Sequence, residues 1–152
     1  MLRIEWVYSL NVSPVDSVGI HEVLHAFFRT SEYGEWRADP VAASDSFVLR
    51  YLRGRWRRSF FGLGKTLIPS GSRTETLENV PLRLAVTIRP APENYRIGLR
   101  YRLVLVLPWS SSFRRDDEQR IAEATLGEVK ALSSYLREVY GWTETPQITQ
   151  DG

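Results

Sequence analysis

At 152 residues, with 43% hydrophobic and 25% charged side chains, the chain has the size and balance of one globular domain, which excludes fibrous and disordered architectures. It has no cysteine, which rules out disulfides, thiolate metal sites and a cysteine nucleophile; a reducing compartment fits, and a cytoplasmic location is the expectation. The net charge is only +2, yet residues 46–102 hold twelve basic and three acidic side chains between two mildly acidic ends, and eighteen of the twenty cations are arginine.

The N-terminal segment has no basic head followed by a long apolar run, so no signal peptide is expected. Residues 2–12 alternate, with Leu2, Ile4, Trp6, Tyr8, Leu10 and Val12 on one parity, which predicts a half-buried strand. Ser13-Pro14-Val15-Asp16 carries helix-start chemistry, a capping hydroxyl followed by proline and an acid, and predicts a helix to about Thr30. Steps of 100° put Ile20, Val23, Leu24, Phe27 and Phe28 on one arc, Glu22 and Arg29 opposite, and His21 and His25 at the boundary.

Residues 31–46 are polar and contain Gly34 and Pro40, so a loop is expected, with a short strand near Trp36. Residues 47–61 favour strand, bent at Gly54. Gly62-Leu63-Gly64 and Pro69-Ser70-Gly71-Ser72 predict turns, and residues 73–79 another short strand.

The clearest signal is a hairpin. Leu82, Leu84, Val86 and Ile88 alternate with Arg83, Ala85, Thr87 and Arg89. After Pro90–Asn94, Tyr95, Ile97, Leu99, Tyr101 and Leu103 alternate with Arg96, Gly98, Arg100 and Arg102. One apolar and one arginine face on each strand predict an antiparallel sheet wet on one side. The most apolar run, Leu103 to Pro108, is too short to span a bilayer.

A long helix is expected from about Phe113 or Asp116 to Tyr140. Acids stand in its first turn, Gly141 at its end, and Ile121, Thr125, Val129, Leu132, Leu136 and Val139 form its stripe. The organisation is therefore one α+β domain over residues 1–142 and a frayed polar tail over 143–152. Its expected core is a curved antiparallel sheet of about five to seven strands on a long C-terminal helix and a shorter N-terminal one.

This order of strand, helix, antiparallel strands and long helix resembles the helix-grip domains of the START-like group. One departure is a single helix after the first strand where that group usually has two. The resemblance implies a cavity between sheet and last helix, and with it a carrier of an apolar small molecule.

Three constellations could carry chemistry. His21-Glu22-Val23-Leu24-His25 puts two imidazoles on one helical face with a carboxylate between them. It resembles the active-site helix of zincin metallopeptidases, which would make His21 and His25 zinc ligands, Glu22 the base, and the protein a zinc-dependent hydrolase. The chain departs from the longer pattern, with Phe28 where glycine and Ser31 where a third ligand would stand; Glu123 or Glu128 would have to supply that ligand from the last helix.

The second constellation is basic and aromatic. Arg50, Arg53, Arg55, Arg57, Arg58 and Lys65, interleaved with Tyr51 and Trp56, suit phosphate neutralisation and base stacking, and Arg83, Arg89, Arg96, Arg100 and Arg102 would extend the patch across the sheet. The expected partner is a nucleic acid or an acidic protein surface, with no cofactor. The third, Gly62-Leu63-Gly64-Lys65-Thr66, is dismissed as a phosphate loop: Ser59 stands where its first glycine belongs and Pro69 follows too soon for a helix. The leading expectation is a small non-enzymatic binding module with a basic sheet surface.

Overall fold

In a computed structural model of the protein the described residues are 2–39, 48–58, 67–69, 80–90, 93–105 and 113–151, with the backbone alone for 17, 57–58 and 67–69. The elements are β1 (Leu2–Val12), α1 (Ser17–Arg29), β2 (Arg37–Ala38), β3 (Val48–Arg53), β4 (Trp56–Arg58), β5 (Leu67–Pro69), β6 (Leu82–Pro90), β7 (Tyr95–Leu105), α2 (Arg115–Tyr140) and β8 (Gln147–Asp151). Six strands form one antiparallel sheet in the order β2-β3-β6-β7-β1-β8, and β4 and β5 pair as a separate ribbon. The class is α+β, as the alternation and the two helical stripes predict.

The hairpin forms where expected, with Pro90 opposite Tyr95 and Leu82 opposite Leu103. Leu84, Val86, Leu99, Tyr101 and Leu103 are buried, while Arg83, Arg100 and Arg102 stand exposed or half-buried on the other side. Period-two side-chain alternation forces this division once one face meets a core. β1 lies along β7 for its full length and buries Trp6, Tyr8, Leu10 and Val12 on the same inner face.

Both helices contribute to that core. α1 buries Ile20, Leu24 and Phe28, and α2 buries Ile121, Thr125, Glu128, Val129, Leu132, Ser133 and Leu136. Tyr8 Oη on β1 lies 2.8 Å from Thr125 Oγ1 on α2, a buried hydrogen bond between sheet and helix. Gly141 ends α2 with φ 66, the left-handed conformation glycine adopts without strain. Gly54, after β3, has φ 93, and a Cβ there would collide with the Val80 carbonyl.

Several expectations need correction. α1 begins at Ser17, not beside Ser13: Asp16 is the cap, its carboxylate accepting from Gly19 N at 3.1 Å. Val139 is not on the buried stripe and stays 47% exposed. Pro69 lies in strand β5, paired with Trp56, and not in a turn. The tail does not fray, because residues 147–151 pair with Val7–Asn11 of β1 and form the edge strand β8. Pro146, just before it, accepts a 2.8 Å hydrogen bond from Ser133 Oγ of α2. The turn expected over 62–64 and the strand over 73–79 fall outside the described residues.

Candidate anion-binding face

Register organises the outer face of the sheet into rows of side chains. One row runs Leu52, Arg83, Arg102, Glu5. The next runs Arg50, Ala85, Arg100, Val7, Asp151, and the third Val48, Thr87, Gly98, Ser9, Thr149. The fourth holds Arg89 opposite Arg96, then Asn11 and Gln147. Arg50, Arg83, Arg89, Arg96, Arg100 and Arg102 line a single trough of about 580 Å³ on this face, whose floor is the small residues Ala85, Thr87, Gly98 and Ser9. Asp39 and Asp151 also line it, so the trough is basic with two carboxylates among its walls.

Two arginine pairs sit directly opposite each other across β6 and β7, Arg83 with Arg102 and Arg89 with Arg96. Like charges in that relation repel and weaken a sheet. Glu5 relieves one pair: its carboxylate accepts from Arg102 Nε at 2.8 Å and lies 4.0 Å from Arg100 Nε. The Arg83 guanidinium lies 5.0 Å from the Trp56 ring centre, a cation–π contact. No ion pair or hydrogen bond among the described residues engages the side chains of Arg50, Arg89 or Arg96.

The sequence-predicted basic residues divide between locations. Arg50, Arg100 and Arg102 come together in the trough. Arg55 is exposed beyond the end of β3. Arg57 and Arg58 lie in β4, where only the backbone is described, and Lys65 lies outside the described residues. Arg53 is corrected: it shares its parity with Tyr51, points into the core and is 2% exposed. Tyr51 is likewise buried, at 2%, and cannot stack on a base from solution. Trp56 is half-buried and spends its Nε1–H on the Arg53 carbonyl at 3.1 Å.

Arg53 instead joins a polar cluster between sheet and helices. Its Nη1 donates to Glu128 Oε2 at 2.9 Å, and its guanidinium lies 4.3 Å from the Trp36 ring centre. Glu128 is fully buried and also accepts from Tyr101 Oη at 2.8 Å, Ser31 Oγ at 2.5 Å and Trp36 Nε1 at 3.1 Å. Such a carboxylate is tolerable in a core because each lone pair finds a donor. Burial, reinforced by the neighbouring Glu128 charge, raises the Tyr101 phenol well above its usual value.

The two histidines stand four residues apart on α1. His25 Nδ1 is 3.1 Å from Tyr51 Oη, and its ring stacks on Tyr51 with centres 5.9 Å apart. His21 is half-buried, its Nε2 meeting no partner among the described residues, and Glu22 is exposed. Among the described residues no group of three or more histidines and carboxylates is placed to hold a metal ion. Glu128, a third-ligand candidate from the sequence, is fully engaged in the cluster above; Glu123 is exposed and accepts from Gln119 Nε2.

Between the sheet and the helices lie Trp36, Tyr8, Tyr101 and Phe28, all fully buried, together with the Arg53–Glu128 pair. These fill the layer where the helix-grip resemblance implies a ligand cavity. A smaller hollow of about 210 Å³ lies elsewhere, beside Phe27, Tyr33 and Tyr135. No helix among the described residues is long and apolar enough to cross a membrane. No protein-family model, curated protein or solved structure matches this chain.

Proposed function

We propose that this protein is a non-enzymatic binding module whose arginine-lined sheet face takes a polyanion, the phosphate backbone of a nucleic acid being the chemistry the face fits best. The observation that carries the reading is the direct opposition of Arg89 to Arg96 and of Arg83 to Arg102 in one trough. An anion between such pairs turns a repulsion into two attractions. The planar guanidinium fork matches phosphate oxygens two at a time. The two tyrosines that border the trough, Tyr8 and Tyr51, are buried, so recognition runs through the backbone charge and not through base stacking.

The test is a titration with labelled single-stranded oligonucleotide at low and moderate salt, followed by anisotropy. Wild-type protein should bind at low salt and lose affinity steeply as salt rises, since each neutralised phosphate releases counterions. Arg89→Thr with Arg96→Thr should flatten the salt slope by up to about two units. No binding at low salt overturns the nucleic-acid reading. Equal affinity for polyglutamate would reassign the face to acidic protein surfaces.

A further inference from the structure

The third row of the outer face contains an anomaly. Gly98 lies within β7, hydrogen-bonded between β6 on one side and β1 on the other, opposite Thr87 and Ser9. Glycine within a strand weakens it, through backbone entropy and the missing side chain. Its usual justification is a positive φ, and Gly98 is not among the described glycines with one. The other is crowding, yet a Cβ built on Gly98 would meet only Thr87 Cβ at 3.8 Å and the Thr87 carbonyl at 3.9 Å, ordinary contacts. Neither the backbone nor the described neighbours require glycine here. A side chain at this position would do one thing, which is to stand up in the floor of the trough.

The surroundings say what the cleared space suits. Arg50 and Arg100 lie in the row to one side of Gly98, and Arg89 and Arg96 in the row to the other. Each row is two residues away along the strand, roughly 7 Å, which an arginine side chain spans. Thr87 and Ser9 flank Gly98 in its own row, and no hydrogen bond among the described residues uses either hydroxyl. Guanidinium groups within reach in both flanking rows, of which Arg50, Arg89 and Arg96 have no other partner among the described residues, and two hydroxyls beside a bare backbone offer donors to one compact, multiply oxygenated anion.

We propose that Gly98 is the floor of a phosphate seat: one phosphate group sits directly over its backbone, with arginines of the flanking rows on its oxygens and Thr87 and Ser9 donating from the sides. This rests on the anionic-ligand reading above and narrows it from a charged face to one point of close approach. The same chemistry could come from a phosphodiester of a chain lying along the trough or from a small free phosphate.

The experiment compares wild type with Gly98→Val and Thr87→Val. For each, affinity for a labelled single-stranded oligonucleotide is measured at low salt, inorganic phosphate is titrated alone and as competitor, and the thermal midpoint is recorded. Gly98→Val should fold with a midpoint no lower than wild type, because a β-branched residue suits a strand, and should bind the oligonucleotide about tenfold more weakly or worse. Thr87→Val keeps shape and loses only the hydroxyl, so a several-fold loss is expected. Binding of inorganic phosphate to wild type but not to Gly98→Val would assign the seat to a small phosphate. Loss of oligonucleotide binding alone would assign it to a phosphodiester chain. A folded Gly98→Val with wild-type affinity overturns the seat and leaves the basic face standing. Should Gly98→Val fail to fold, unchanged affinity in Thr87→Val overturns the seat equally. If wild type binds neither oligonucleotide nor phosphate, both readings fall.

Discussion

Glu128 shows how one residue can be conspicuous in a sequence while its role stays hidden. It stands three residues after Thr125 and four before Leu132, on the buried stripe of α2, where a carboxylate is out of place. That much can be read from spacing. Its partner cannot, because Arg53 lies in a distant strand within an arginine-rich run whose Arg50 faces the other way. Parity alone separates Arg53 from Arg50, and a cluster of like residues obscures parity. The energetic consequence is direct. Glu128→Ala should leave a buried guanidinium without its counter-charge and cost about 3–5 kcal/mol, read from the denaturant midpoint. Replacing both, Arg53→Met with Glu128→Leu, should cost considerably less. A single variant as stable as wild type would show that water reaches the pair.

The buried phenols add a pH dependence. Burial pushes Tyr51 up to about 12 and Tyr101 well above its usual value. In the unfolded chain both would ionise near 10. Above that pH the unfolded state binds fewer protons than the folded one, so stability is full below about 10 and falls as pH rises, for Tyr51 until about 12. Tyr51→Phe should flatten this decline, measured as denaturant midpoints across the alkaline range.

At the scale of elements, what could be read in advance depended on how many side chains carried the pattern. β1, β6 and β7 each alternate over nine or more residues, and their faces follow. β8 has five residues and one apolar side chain, Ile148, so its strand character comes from the β1 backbone beside it and not from its own composition. The start of α1 is ambiguous in the sequence for a similar reason: Ser13 and Asp16 are both good caps, and only the folded chain selects between them. Because β8 covers the backbone of Val7–Asn11, Ile148→Asp should lower the thermal midpoint. Amide exchange should accelerate at Val7–Asn11 first, while the β6–β7 amides remain protected. Uniform acceleration across the sheet would instead mean that β8 is part of the global folding unit.

At the scale of the whole molecule, the sheet separates two kinds of stability. Its inner face is a closed core of aromatic and aliphatic side chains around one buried ion pair, Arg53 with Glu128. Its outer face carries repulsion that the fold does not need. Arg89→Thr alone should therefore stabilise the protein, by about 0.2–1 kcal/mol, most clearly at low salt. The same substitution should weaken polyanion binding. A stabilised variant that binds as well as wild type would detach the arginines from function. The alternation around Arg83, Arg89, Arg96, Arg100 and Arg102 disclosed which strands carried a wet basic face. Which arginines oppose one another, and that Gly98 lies at their centre, depends on cross-strand register, which alternation within a single strand does not determine.

The strand order also bears on how the chain reaches this state. β1 is made first among the strands, yet its neighbours are β7 and β8: Leu2 pairs with Leu105 and Leu10 with Ile148. On the ribosome its apolar stripe of Trp6, Tyr8, Leu10 and Val12 waits while most of the chain is synthesised. Long-range pairing of this kind slows folding and prolongs exposure of sticky surface. Substitutions that weaken the inner face of β1 should accordingly change yield on expression more than they change the stability of the finished protein.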